Sequence, residues 1–170
     1  MKNLLSLIAL TLCLCFASSV EMQAQDYKSA AGLRLGYPWA ASYKMFISEA
    51  SAVEVYAGYR GWFGFNAVSL NGAYLIHNDI ESVGGLQWYY GAGGGVDFYS
   101  YRGFDESNTV IKIAGYLGLQ YTFADTPISL TADWVPTFGL GNDILGFNNT
   151  GFRGGYGGIG VRYVLNSGGK

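Results

Sequence analysis

The chain has one histidine, His77, and two cysteines, Cys13 and Cys15. A catalytic histidine needs a nucleophile or an acid within hydrogen-bond reach. No serine is spaced along the sequence to serve His77, which sits beside a turn and shares parity with polar side chains. His77 therefore reads as a lumen or rim histidine. A single histidine, with both thiols confined to the first residues, leaves no ligand set for a transition metal. Asp105, Glu106 and Asn108 offer oxygen ligands, but their spacing is not that of a calcium loop, and a solvated acidic loop is expected. Gly93-Gly94-Gly95 lacks the strand–turn–helix context of a phosphate loop. No catalytic residue, cofactor or metal is expected. A formal net charge of -2 offers no basic surface for nucleic acid.

What remains is a set of charges with a common parity: Arg34, Lys44, Glu54, Arg60, Asp97, Lys112, Asp133 and Arg162. Each alternates with large apolar neighbours, such as Leu33 and Leu35 beside Arg34, or Ile111 and Ile113 beside Lys112. A charge removed from water needs a partner. Lys44 and Glu54 are equidistant from Glu49 and are expected to face each other across a hairpin. Asp97 is expected opposite Lys112, Asp133 diagonal to Arg162, and Arg34 between the second and last strands.

These side chains must be positioned by strands, because the dominant period after Asp26 is two. Eight runs carry it, at about 30–37, 40–47, 52–62, 65–77, 86–99, 110–123, 128–138 and 152–165. Most have the length of tilted strands crossing a bilayer. Tight turns at 48–50, 79–85 and 125–126 alternate with bends at 37–39 and 63–64 and with the longer loops 102–108 and 141–150. Centring a hairpin on Asp125-Thr126 sets Phe123 opposite Ile128 and Tyr121 opposite Leu130. The first residues differ in kind. Lys2 followed by an apolar run from Leu4 to Phe16 reads as a signal peptide over 1–24, cleaved to leave a barrel domain over 25–170.

Composition decides which face turns inward. The 170 residues include 26 Gly, 14 Tyr, 10 Phe and 4 Trp, with 13% charged. An eight-stranded barrel has an interior that side chains just fill. The large apolar set, with Trp88, Trp134 and several tyrosines, would overfill it. The charged face, rich in glycine, fits, and Gly91, Gly93, Gly95, Gly158 and Gly160 are expected to leave room inside. Aromatics at Tyr37, Trp39, Trp62, Phe98 and Phe138 form one expected girdle, and Tyr74, Trp88, Tyr121, Phe123 and Tyr163 a second. The expected fold is all-β, an eight-stranded antiparallel up-and-down transmembrane β-barrel.

Strand count, face alternation and the last strand, Gly160-Val161-Arg162-Tyr163-Val164-Leu165, resemble the small eight-stranded outer-membrane barrels of the OmpX-like and OmpA-transmembrane-like families. In those families the last strand ends in an aromatic residue; here Leu165 stands there and five residues follow. The resemblance implies an outer-membrane protein of a Gram-negative bacterium, with membrane lipid and the barrel assembly machinery as partners. The expected role is structural or surface-interacting, with no enzymatic activity and a lumen filled by the charged set. The alternatives are a surface-binding module acting through loops 102–108 and 141–152, with Phe104, Phe147 and Phe152; a narrow channel; a lipid-modifying barrel enzyme using His77; and a soluble ligand-carrying barrel.

Overall fold

The structure, a computed structural model, describes residues 27–36, 38–62, 65–101, 107–141 and 150–167. The expected leader 1–24, Tyr37, Phe104, Phe147 and most of both long loops lie outside the described residues, as does the Trp62 side chain. Ten strand segments follow in order: β1 (Tyr27–Gly36), β2 (Trp39–Phe46), β3 (Ser51–Trp62), β4 (Phe65–Asp79), β5 (Leu86–Tyr101), β6 (Ser107–Thr122), β7 (Ile128–Trp134), β8 (Thr137–Leu140), β9 (Gly151–Arg153) and β10 (Gly157–Ser167).

The ten segments make eight barrel strands. β7 and β8 pair with β6 in one unbroken register, from Leu117↔Trp134 to Ile111↔Leu140. Pro136 lacks the amide hydrogen that would join them, while its carbonyl still accepts from Gly115 N at 2.9 Å. β9 and β10 form the last strand, broken at Gly154–Tyr156. There the pairing passes from Gly157↔Trp134 to Arg153↔Thr137, four residues on one strand against three on the other. That extra residue is a β-bulge, and it reverses the side-chain alternation beyond it. The expected run 152–165 carried no such reversal.

Every pairing is antiparallel between neighbours, and β1 closes on β10 through Leu33↔Val161 and Arg34↔Gly160. Closure removes the unpaired edges of an open sheet. Tyr121↔Leu130 and the bond from Phe123 N to Ile128 O at 3.1 Å form the turn at Asp125-Thr126. In the 80–85 turn, Gly85 has φ of 79°, and a Cβ there would lie 2.3 Å from the Thr122 carbonyl oxygen. Glycine is required at that position on both grounds.

Burial alternates along each strand, strictly so in β2 and β8. Leu33, Tyr43, Val55, Leu70, Ile113, Leu119, Trp134 and Val161 point outward and are exposed. Arg34, Lys44, Glu54, Arg60, Asp97, Lys112 and Arg162 point inward and are buried. Such an inside-out distribution costs free energy in water and is favourable in hydrocarbon, because each exposed apolar side chain prefers to leave water. Trp39, Phe98 and Phe138 stand exposed toward the loop end; Tyr74, Trp88 and Tyr163 stand exposed toward the turn end. Tyr121 and Phe123 meet edge to face there, with centroids 4.8 Å apart.

Candidate functional site

The lumen centre is organised by Glu54, whose side chain is 1% exposed. Arg34 Nη1 donates to Glu54 Oε1 at 3.1 Å, Arg162 Nη2 donates to the same oxygen, and Lys44 Nζ lies 3.7 Å from Oε2. Lys44 and Glu54 are direct partners across the β2–β3 hairpin. One carboxylate thus faces three cations from β1, β2 and β10. Arg162 spends its other donors on Ser42 Oγ at 3.1 Å and Thr131 Oγ1 at 3.0 Å.

Asp133 belongs to the same cluster, through a different partner from the one expected. It pairs in register with Gly158, whereas Arg162 pairs with Ser129, four residues further along the strand. Arg34 Nη2 instead donates to both Asp133 oxygens, each at 2.8 Å. The reason is the strand between them. Arg34 lies opposite Gly160, and neither Gly158 nor Gly160 has a side chain to block a guanidinium reaching across to β7. Tyr89 Oη also donates to Asp133 Oδ2 at 2.8 Å.

Toward the turn end the network continues through amides. Lys44 Nζ donates to Gln120 Oε1 at 3.0 Å, Gln120 Nε2 to Gln87 Oε1 at 3.2 Å, and Gln87 Nε2 to Asp79 Oδ1 at 2.8 Å. His77 Nε2 lies 3.4 Å from Lys44 Nζ, and its ring sits between Phe46 at 4.8 Å and Tyr89 at 4.9 Å. This is a packed imidazole within a polar core. Among the described residues no cluster of His, Cys, Asp or Glu is arranged to hold a metal ion.

Toward the loop end, Lys112 Nζ donates to Asp97 Oδ1 at 2.5 Å. The expected partners meet, on a diagonal rather than in direct register: Asp97 pairs with Val110 and Lys112 with Gly95. The long lysine stem spans the two-residue offset. Arg60 Nη2 donates to Tyr99 Oη at 2.7 Å, with its guanidinium 5.4 Å from that ring's centroid. Arg153 Nη1 donates to Tyr156 Oη at 3.2 Å.

Sequence parity did not single out the inward tyrosines, which carry much of the filling. Tyr56, Tyr89, Tyr99 and Tyr116 are all buried. Tyr56 Oη and Tyr116 Oη share a hydrogen bond of 2.8 Å, and Arg34 lies 4.8 Å above the Tyr56 ring. Their shared parity with Glu54, Gln87, Asp97 and Lys112 was the available signal. Arg153 carried no such signal, because the bulge at Gly154–Tyr156 is what sets it level with inward Thr137. The lumen glycines also do more than leave room. A Cβ at Gly91 would lie 2.1 Å from the Tyr74 carbonyl oxygen, and one at Gly93 2.2 Å from that of Gly72. Close approach of β4 to β5 excludes side chains there.

No protein-family model matches the chain, and no curated protein matches it in sequence. Two solved structures share its fold. Neisserial surface protein A is 18% identical, with a TM-score of 0.52, over 81% of this chain and 93% of that one. The N-terminal β-barrel domain of Pseudomonas aeruginosa OprF is 19% identical, with a TM-score of 0.54, over 82% of this chain and 98% of that one. With closure, strand number and the outward apolar face, the fold is an eight-stranded antiparallel up-and-down transmembrane β-barrel of the outer-membrane type.

Proposed function

We propose that this chain is an integral protein of a Gram-negative outer membrane, with a structural or surface-interaction role and a lumen closed by its own side chains. The 1–24 segment would be cleaved on export, and the barrel assembly machinery would insert the domain among outer-membrane lipids. The observation that carries this reading is the centre of the barrel. Arg162, Tyr89, Lys44, Gln120, Glu54 and Asp97 are all but fully buried there and linked to one another or to neighbouring strands. A through-channel would require those bonds to break together. The reading assigns no catalytic residue, since His77 is packed between two rings rather than set beside a nucleophile.

Planar-bilayer recording on the refolded protein tests the closed lumen. The expected record is silent over many insertions; regular unitary steps that scale with salt would reject the plug in favour of a narrow channel. The surface-interaction arm rests on the exposed Phe152 at the loop end. Removing loop residues 142–149 and replacing Phe152 by Ser should abolish any binding the barrel shows to a surface ligand while keeping the β8–β9 pairing.

A further inference from the structure

We propose that the outer half of the lumen contains a binding site for a single small inorganic anion of the halide class, held by Asn71, Lys112, Arg34 and Tyr56. A cavity of about 20 Å³ lies there, bounded among others by Arg34, Tyr56, Asn71, Lys112, Thr137 and Tyr156. That is room for one particle the size of a water or a halide ion. It exists because inward positions nearby are small, notably Ala114 and Gly158.

The wall is one-sided in its chemistry. It contains two cations, Arg34 and Lys112, and no aspartate or glutamate. Asn71 is 8% exposed, and its Nδ2 has no hydrogen-bond partner among the described residues. A buried amide N–H without an acceptor is destabilising, because it has lost its water and gained nothing in return. Tyr56 lines the cavity, and when Tyr116 donates in their shared bond the Tyr56 hydroxyl hydrogen is left for the cavity. Lys112 has three N–H donors and gives one to Asp97. Arg34 is engaged by Glu54 and Asp133, so it contributes field more than a new bond. Thr137 sends its hydroxyl hydrogen away, to the Val135 carbonyl at 3.0 Å.

Charge bookkeeping across the lumen points the same way. Around the cavity and the adjoining Glu54 cluster, Arg34, Lys44, Lys112 and Arg162 stand against Glu54, Asp97 and Asp133, an excess of one cation. Several spare donors, surplus positive charge and a one-particle volume select a monatomic anion over a cation. They also favour it over a neutral water, which would bring two hydrogens of its own to a wall already rich in donors.

Crystals of the refolded protein soaked in sodium bromide, with diffraction recorded at the bromine edge, test this. The expected result is an anomalous peak inside the cavity, within hydrogen-bond reach of Asn71 Nδ2 and Lys112 Nζ. In Asn71→Leu, which keeps the side-chain bulk and removes the donor, that peak should fall to the noise. In solution, chloride should raise the urea midpoint of the wild type saturably over gluconate at equal ionic strength. The variant should lose that rise. Ordered water without anomalous signal in the wild-type cavity would overturn the proposal, as would a bromide peak unchanged in Asn71→Leu. The wild-type arm does not depend on the variant folding.

Discussion

Glu54→Gln is the most informative single change. The substitution keeps the shape of the side chain and deletes the one charge that Arg34, Arg162 and Lys44 share. It also places an amide N–H₂ among donors. Removing one partner of a buried ion pair typically costs about 3–5 kcal/mol, because the remaining charges stay desolvated. At about 1.4 kcal/mol per decade, that is roughly two to three and a half orders of magnitude in the unfolding equilibrium. Asp133 already serves Arg34, so it cannot take over for Arg162 and Lys44. The assay is urea titration of the refolded barrel in detergent or vesicles, following tryptophan emission and the mobility shift between folded and heat-denatured forms. Added salt should leave the loss largely intact, since buried charges are screened little. A second change, Arg162→Met, should cost less in the Glu54→Gln background than alone, because the two act through one network. A loss below about 1 kcal/mol, the range of exposed pairs, would refute the reasoning. It would mean that water fills the lumen around Glu54.

Three further outcomes follow from other parts of the barrel. Ile113→Arg puts a charge on an outward side chain that is 60% exposed; it should cost about 2–4 kcal/mol in lipid if that position lies near mid-bilayer, read from vesicle refolding titrations. Gly93→Ala forces a Cβ against the Gly72 carbonyl oxygen; it should destabilise by about 1–3 kcal/mol, like other overpacked sites, in the same titration. Tyr116→Phe removes the hydrogen bond to Tyr56 while keeping the ring; it should cost about 0.5–1.5 kcal/mol, with the folded mobility unchanged.

Strand number, hairpin order and face assignment were legible in the sequence because period two and residue size are local properties. The Lys44↔Glu54 register followed from a tight turn alone. The partners of Asp133 were not legible, because they depend on closure, which brings β1 against β10, and on two glycines that let Arg34 reach past β10. The offset between Asp97 and Lys112 depends on the register across loop 102–108, which no short turn fixes. Arg153 was hidden by a bulge whose signature, Gly154-Gly155 before Tyr156, reads in sequence as an ordinary flexible stretch. The inward tyrosines were missed for a different reason. Their bulk suggested a lipid-facing role, yet small inward positions make room for the rings: a Cβ at Gly118 would lie 2.6 Å from the Tyr89 ring.

The account turns on which way the side chains point. Single cysteines introduced at Leu119, Val161 and Ser129, in a chain whose Cys13 and Cys15 are replaced, can be spin-labelled and the protein reconstituted in vesicles. Labels at Leu119 and Val161, both exposed on the outer wall, are predicted to collide freely with dissolved oxygen and little with a water-soluble nickel chelate. A label at the fully buried Ser129 should be immobilised and shielded from both. The reverse pattern, with the nickel chelate reaching Leu119 and Val161, would contradict the transmembrane barrel.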